Sequence, residues 1–234
     1  MGAVQVAFSA FLYLLGCLVL GLALYPGVLF TWWLLQASAG QPWELRALGV
    51  ALGVGTGYFL YGFTLLAITV ALRYLLGLSL APGEHPYFSL MAFRWVLASS
   101  LNVVVKSTFM DFLALSPLLN TYLRLMGARL GKGVLINSKY VHDWSLLEIG
   151  DGAVIGGDAV ISCHVAERGK ILLAPVRIGK GALIGQRAVI MPGAEVGDGA
   201  VVGAQALVLK GQKIPAGEVW VGIPARRLEP GQPA

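Results

Sequence analysis

Charged side chains are scarce in this sequence, and the scarcity is concentrated at one end. Only 12% of the 234 residues are charged, and residues 1–43 and 47–72 contain none. This composition excludes an ordinary soluble domain for that part of the chain. Since a bilayer-spanning helix needs about 20 apolar residues, we expect a transmembrane region over residues 1–76. Buried core helices are the alternative.

Within this region, the sequence predicts two membrane spans. Pro26-Gly27 is expected to break the first apolar run, which leaves one span at Val4–Tyr25. The second span covers Leu48–Leu72. An interfacial segment between the two is expected from its aromatic residues, which favour the membrane–water boundary: Trp32, Trp33 and Trp43. No positive region precedes the first run, and the run is too long for a cleaved signal peptide.

Positive charge is nearly absent before the second span and frequent after it. The connector between the spans holds only Glu44 and Arg46, whereas six cations lie between residues 73 and 132: Arg73, Arg94, Lys106, Arg124, Arg129 and Lys132. Because cytoplasmic segments are enriched in Lys and Arg, we expect a protein of the bacterial cytoplasmic (inner) membrane with its C-terminal part on the cytoplasmic side. The net charge of +5 suits an anionic membrane face or cofactor. Nucleic acid is not an expected partner, since no basic cluster is interleaved with aromatic residues.

Cysteine and histidine are also rare. The two cysteines, Cys17 and Cys163, lie in different regions and cannot build a disulfide framework or a metal motif. The three histidines lack the spacing of the β-helical carbonic anhydrases. No metal site is therefore predicted.

What the sequence does contain is a six-residue repeat. Aliphatic residues recur at every sixth position from Ile178 to Ile214, in the same phase as Ile149, Ile155 and Ile161. The fifth place of each block is small: Ala153, Ala159, Ala182, Ala188, Ala194, Ala200 and Ala206. Hexapeptide repeats are typical of a parallel β-helix, in which three blocks form one triangular coil. We therefore predict a β-helix over residues 130–228, followed by a short tail at 229–234.

Residues 77–129 connect the membrane region to the β-helix. A turn-rich break is expected at residues 81–86, and two amphipathic helices at about residues 87–107 and 109–126. Pro117 is expected to start a helical turn and Gly127 to end one. This pattern predicts a helical linker on the membrane surface.

Two sets of motifs resemble known families. Pro82–Tyr87 with Arg94-Trp95, and Ser116–Asn120 with Tyr122–Arg124, resemble the membrane-bound hexapeptide-transferase region at the C-terminus of polylysine-type nonribosomal peptide synthetases and its stand-alone relatives. Ile178–Leu228 is similar to the maltose and galactoside O-acetyltransferases. The resemblance implies a left-handed parallel β-helix, a homotrimer, and acyl transfer from acyl-coenzyme A to a hydroxyl or amine, with no permanently bound cofactor.

The repeat loses its phase once, between Ile161 and Ile178, where a loop is expected to leave the coil. In hexapeptide acyltransferases a loop at this point carries a catalytic histidine, and His164 is the residue that matches. Histidine suits a general base because its pKa lies near neutrality. We expect Glu167 to orient it, with a solvated carboxylate as the alternative. Cys163 beside it is a disfavoured nucleophile.

Further site residues follow from the same resemblance. His142, Asp143 and Trp144 occupy the segment where the sugar acetyltransferases bind their acceptor, although His142 would equally suit a structural corner. Four cations are expected to meet the phosphates of coenzyme A, with a solvated basic rim as the alternative: Lys210, Lys213, Arg226 and Arg227.

Two functions remain open on the sequence. One is a membrane-anchored acyltransferase with His164 as general base. The other is a non-catalytic trimeric β-helix that tethers a peptide synthetase, with peptide-bond formation from carrier-bound aminoacyl thioesters as a variant. A peptide synthetase or a carrier protein would then be a further partner. The loop that holds His164 favours catalysis, since a scaffold does not need it.

Overall fold

Two long apolar helices form the first of two units, which divide between Leu76 and Gly77. The computed structural model describes residues 2–229. Helix α1 runs from Ala3 to Ala37 and helix α2 from Trp43 to Leu75. Both are long and apolar enough to cross a membrane, with mean hydropathies of 2.3 and 1.5.

The predicted break at Pro26 is wrong, because α1 continues through it. A neighbouring helix can stabilise an apolar helix across a proline, and α2 lies very close here. A Cβ on Gly27 would fall 2.6 Å from the carbonyl oxygen of Gly57, and one on Gly53 would fall 3.0 Å from Cα of Thr31. Small residues thus let the two helices touch backbone to backbone, which local sequence patterns do not reveal.

The second unit begins with a strand and two helices. Strand β1 (Gly83–Pro86) replaces the expected turn-rich break. Helix α3 (Leu90–Thr108) is capped by Ser89, whose hydroxyl accepts from the backbone N–H of Ala92. After a short 3-10 helix (Met110–Leu113), helix α4 (Pro117–Leu125) starts at Pro117, as the sequence predicts. Both helices bury one face within this unit, while their place on a membrane surface stays a prediction.

Short parallel strands follow and stack into a β-helix with three faces. The first face has the order β15-β12-β9-β4-β2, the second β17-β16-β13-β10-β5-β3, and the third β14-β11-β6. The fold class is confirmed: apolar N-terminal helices are followed by a left-handed parallel β-helix. The strands are β2 (Arg129–Leu130), β3 (Leu135–Ile136), β4 (Leu147–Ile149), β5 (Val154–Ile155), β6 (Val160–Ile161), β7 (His164–Glu167), β8 (Lys170–Leu173), β9 (Val176–Ile178), β10 (Leu183–Ile184), β11 (Val189–Ile190), β12 (Glu195–Val196), β13 (Val201–Val202), β14 (Leu207–Val208), β15 (Lys213–Ile214), β16 (Val219–Val221) and β17 (Arg226–Arg227).

The repeat residues fill the interior of the coils, as their spacing predicts. Ile184 pairs with Val202 in the next coil, and Ile190 pairs with Val208. These aliphatic residues are fully buried, and so is every alanine of the fifth place. The coils stack so closely that a Cβ on Gly185 would lie 2.5 Å from the backbone nitrogen of Ala204. A larger residue at either kind of position therefore has no room.

One coil contains an insertion. Ile178 pairs with Val196, 18 residues further on, whereas Ile149 pairs with Ile178, 29 residues further on. The sequence predicts that a loop leaves the coil here, and the eleven extra residues do leave it. They form an antiparallel hairpin, β7–β8, and β1 adds a third strand to it. The insertion is therefore an ordered sheet that projects from the coil.

Candidate active site

The structure pairs His164 with a carboxylate from another coil. His164 is the first residue of β7, and its Nδ1 lies 2.5 Å from Oδ2 of Asp143. Asp143 stands at a corner with φ of 54°, which turns the chain just before a 3-10 helix at Trp144–Leu146. Its side chain is 2% exposed, whereas that of His164 is 25% exposed. The pair therefore has a buried anchor and an accessible imidazole.

Two further donors hold the Asp143 carboxylate. Its Oδ1 accepts from Trp95 Nε1 at 2.9 Å, and its Oδ2 accepts from the backbone N–H of Cys163 at 3.1 Å. Hydrogen bonds of this kind stabilise a buried carboxylate in its charged form. Asp143 is thus fixed by an N–H from α3 and by the N–H of Cys163, which lies between β6 and the hairpin.

The imidazole of His164 is held between several groups. The Ser162 hydroxyl lies 3.2 Å from Nδ1 and donates to the His164 carbonyl at 2.9 Å. The Trp95 ring lies 4.7 Å from the imidazole, centroid to centroid. Within the described part of the chain, Nε2 has no hydrogen-bond partner. Because Nδ1 faces the carboxylate, Nε2 is the nitrogen available to take a proton from a ligand.

His142 lies beside this pair. Its ring is 6.2 Å from that of His164, centroid to centroid, and nearly perpendicular to it. Burial lowers the pKa of His142, and the positive charge of Lys106 lowers it further, against the opposing effect of Asp143. His142 is therefore neutral at pH 7 and offers a hydrogen bond rather than a charge.

Two of the expected site residues take other roles in the structure. Glu167, expected to orient His164, lies at the far end of β7 and binds Lys210 at 2.6 Å instead. The reason is strand geometry: three extended residues carry it away from the imidazole. Trp144, expected to shape an acceptor pocket, is 5% exposed. Its Nε1 donates to the Val141 carbonyl and its ring packs edge-on against Tyr122, so it belongs to the core.

The four expected phosphate-binding cations lie at separate places on the β-helix. Lys213 is on the first face, where its Nζ lies 3.1 Å from Glu195. Arg227 is on β17 beside Glu218, at 3.4 Å, with Arg226 next to it on the same strand. Lys210 follows β14 and binds Glu167. Within one chain, these cations do not form a single cluster.

Cys163 is not placed for nucleophilic attack. It is fully buried, and burial raises the pKa of its thiol far above the ordinary value. A thiol that stays protonated is a poor nucleophile.

Sequence reasoning missed the part that α3 plays in this site. Trp95, Ser99, Asn102 and Lys106 recur with the spacing of one helical face. Trp95 reaches Asp143, the Asn102 amide lies 3.5 Å from the Val141 carbonyl, and Lys106 lies over the Tyr140 ring. The polar residues of α3 were visible in the sequence, but an amphipathic helix on a membrane surface also has a polar face, so they did not reveal the contact with the site.

Comparisons with known proteins agree with this architecture. Residues 175–210 match the family model "Bacterial transferase hexapeptide (six repeats)". This chain is 29% identical to a delta-poly-L-ornithine synthetase of Acinetobacter baumannii (strain AB307-0294) over 161 residues, which are 69% of its own length. The alignment covers only 12% of that relative's length.

Similar solved structures are hexapeptide-repeat acetyltransferases. One from Vibrio cholerae O1 biovar eltor, in complex with acetyl coenzyme A, is 25% identical, with a TM-score of 0.40 over 44% of this chain and 60% of that one. A maltose O-acetyltransferase from Clostridium difficile 630 is 17% identical, with a TM-score of 0.44 over 64% of this chain and 93% of that one. The β-helix of this chain therefore contains hexapeptide repeats that match the bacterial transferase model over residues 175–210.

Proposed function

We propose that this chain is a membrane-anchored acyltransferase that moves an acyl group from an acyl-coenzyme A thioester to a hydroxyl or amine acceptor. The observation that carries the proposal is the contact between His164 Nδ1 and the buried Asp143 carboxylate. The match to a transferase repeat family supports the same reaction class. A carboxylate that faces one imidazole nitrogen leaves the other free for proton transfer.

In the proposed reaction, Nε2 of His164 removes the proton from the acceptor as its oxygen or nitrogen attacks the thioester carbonyl. The new bond forms while the carbonyl becomes an oxyanion, and the carbon–sulfur bond then breaks. The coenzyme A thiolate leaves and takes the proton from the imidazolium. Asp143 stabilises the imidazolium between these steps, since a buried carboxylate beside it favours the charged form.

Turnover by the purified full chain tests this proposal. Free thiol released from acetyl-coenzyme A is followed with a thiol reagent while sugars, amines and carrier-bound aminoacyl groups are screened as acceptors. His164→Ala is expected to lower turnover by roughly 10²–10⁴-fold, the usual range for general acid–base catalysis. His85→Ala is the control, because His85 lies on β1, two strands from β7 in the same sheet, and binds the Ala81 carbonyl. Equal turnover in His164→Ala and the control would contradict the role of His164.

The assembly and the placement in the cell complete the proposal. The chain forms a homotrimer in which the pantetheine arm of the donor lies between neighbouring β-helices, with Lys210, Lys213, Arg226 and Arg227 as candidate phosphate contacts. Helices α1 and α2 span the bacterial inner membrane, and the β-helix lies on the cytoplasmic side. Protease added outside sealed cells is then expected to leave a C-terminal tag intact, whereas loss of the tag would reverse the orientation.

A second function is favoured by the similarity to the delta-poly-L-ornithine synthetase. Under this second function, the β-helix of this chain tethers a peptide synthetase at the membrane, or it forms peptide bonds from carrier-bound aminoacyl thioesters. The scaffold form predicts that no thioester donor binds. Calorimetry with coenzyme A distinguishes the scaffold from the acyltransferase, since binding of the donor by the purified chain favours the acyltransferase.

A further inference from the structure

We propose that Lys106, together with Tyr140 and His142, forms an anion-binding subsite that recognises a carboxylate or phosphate group of the acceptor. The inference rests on the proposed acyl transfer at His164 and deepens it, because it names a chemical class for the acceptor.

The subsite is built where α3 crosses the first coil of the β-helix. Three residues on one face of α3 contact three positions of that coil in antiparallel order. Trp95 binds the carboxylate of Asp143, Asn102 lies against the carbonyl of Val141, and Lys106 lies over the ring of Tyr140. The contacts of Trp95 and Asn102 therefore hold α3 against this coil, and they fix the position of Lys106 on the same helix.

Lys106 is a cation near the site that has no carboxylate partner among the described residues. Its Nζ lies 5.5 Å from the centroid of the Tyr140 ring, and no carboxylate lies within ion-pair distance of it in the described part of the chain. Lys139, on the other side of the same ring, is bound to Asp111 at 2.6 Å. Lys106 is also half-buried. A half-buried ammonium without a counter-ion attracts an anion more strongly than an exposed one, because water screens it less.

The neighbours of Lys106 strengthen the same preference. Asp143, the carboxylate of the site, is buried and already holds His164, Trp95 and the Cys163 N–H. His142, which feels the charge of Lys106, is neutral and partly exposed, so it adds a hydrogen bond without opposing charge. The open side of the site is therefore electropositive. An acceptor that carries only positive charge would be repelled there, whereas one with a carboxylate or phosphate would be drawn in and oriented.

The position of the subsite indicates the acceptor rather than the donor. His142 lies 6.2 Å from His164, centroid to centroid, and Lys106 is close enough to affect its pKa. In coenzyme A the whole pantetheine arm separates the thioester from the phosphates. When the thioester is at His164, the phosphates are at the far end of that arm. An anion at Lys106 therefore belongs to the group that attacks the thioester.

Calorimetry with inorganic phosphate and with acetate tests the subsite without a known acceptor. The full chain is first saturated with coenzyme A, so that sites for donor phosphates are filled. Phosphate is expected to bind the native chain and to bind Lys106→Gln about tenfold more weakly, the loss of one charge-assisted contact. Lys106→Arg keeps the charge and is expected to retain binding. Lys132→Gln, at an exposed corner of the β-helix, is the matched control.

Each outcome supports or overturns the inference. Phosphate or acetate binding that survives saturation with coenzyme A and is lost in Lys106→Gln alone supports it. Binding that coenzyme A abolishes would assign Lys106 to the donor and overturn it. Equal binding in Lys106→Gln and Lys132→Gln, or no anion binding at all, would also overturn it. Failure of coenzyme A itself to bind would instead contradict the proposed acyl transfer.

Turnover with matched acceptors extends the test to substrates. Ornithine and putrescine share two amines, but only ornithine has a carboxylate; serine and ethanolamine form a second such pair. Lys106→Gln is expected to raise KM for the carboxylate member by about tenfold and to leave the other member unchanged. A native preference for putrescine and ethanolamine would contradict an anionic acceptor.

Discussion

The coils over residues 178–214 and those over residues 135–178 follow the same interior pattern but differ outside it. In the later coils each strand pairs 18 residues on, and hardly anything projects from the short turns. The earlier coils keep the same buried columns, for example Ile149, Ile155 and Ile161. They also contain the hairpin, the corner of Asp143 and the contacts with α3. The buried columns thus keep the coils in register, so an insertion or an irregular corner on the outside of a coil does not disrupt the β-helix.

The corners illustrate this difference. In the later coils, Gly181 and Gly199 have φ of 61° and 65°, and the non-glycine corners Arg187 and Gln205, with φ of 56° and 58°, have exposed side chains. Asp143 adopts φ of 54° with a side chain present. Aspartate tolerates this conformation better than most residues, and its carboxylate here gains three donors. The corner of Asp143 therefore differs from those of Arg187 and Gln205 in that its side chain is buried and lies beside His164.

The largest effect on stability is expected from overfilling the regular coils. Ala200 is fully buried, whereas Ala204, in the same coil, is exposed. Ala200→Leu is expected to lower the free energy of unfolding by about 1–3 kcal/mol, the usual cost of extra methylenes in a packed core. Ala204→Leu is the matched control and should change little. Thermal melting of the two variants decides the point, and equal melting temperatures would refute the assigned interior phase.

A small effect is expected at the tip of the inserted hairpin. Glu167 binds Lys210 on the surface, where an exposed ion pair contributes about 0–1 kcal/mol. Glu167→Gln is therefore expected to leave turnover and melting temperature close to those of the native chain. A large drop in turnover at an unchanged melting temperature would restore Glu167 to a direct part in the reaction. Lys170→Gln, which removes the comparable pair with Glu84, is its control.

The sequence predicts the regular coils far better than the site. The period of six and the alanines follow from packing between adjacent coils, which repeats locally and leaves a pattern in the residues. The insertion was also visible, since it interrupts that pattern next to His164. The partner of His164 was not, because Asp143 lies 21 residues earlier and meets it only through the corner of another coil.

Other misses have the same origin in long-range contacts. The N–H of Trp95 reaches Asp143 across 48 residues, and no local rule predicts that a helix outside the repeat completes the site. The continuity of α1 through Pro26 depends on the close approach of Gly57 to Gly27. The helix propensity of proline, which is a local property, does not reveal this contact. Glu167 was predicted to orient His164 because the two residues are close in sequence. Both lie on the extended strand β7, however, and the rise per residue along a strand carries Glu167 away from the imidazole.

The most direct test of the account is whether Asp143 acts through His164. Turnover is measured for the native chain, His164→Ala, Asp143→Asn and the double variant, with Asp158→Asn as the control at an exposed corner that also has a positive φ. Asn keeps the size of the side chain, but its single oxygen can accept from only one of the Trp95 and Cys163 N–H groups, so melting temperatures are measured alongside turnover to separate a loss of stability from a loss of catalysis. Residues that act as a unit are strongly non-additive. We expect Asp143→Asn to lower turnover by roughly 10²-fold or more when His164 is present and to have no further effect in its absence. An equal loss in both backgrounds would show that Asp143 acts independently of His164 and would contradict the account.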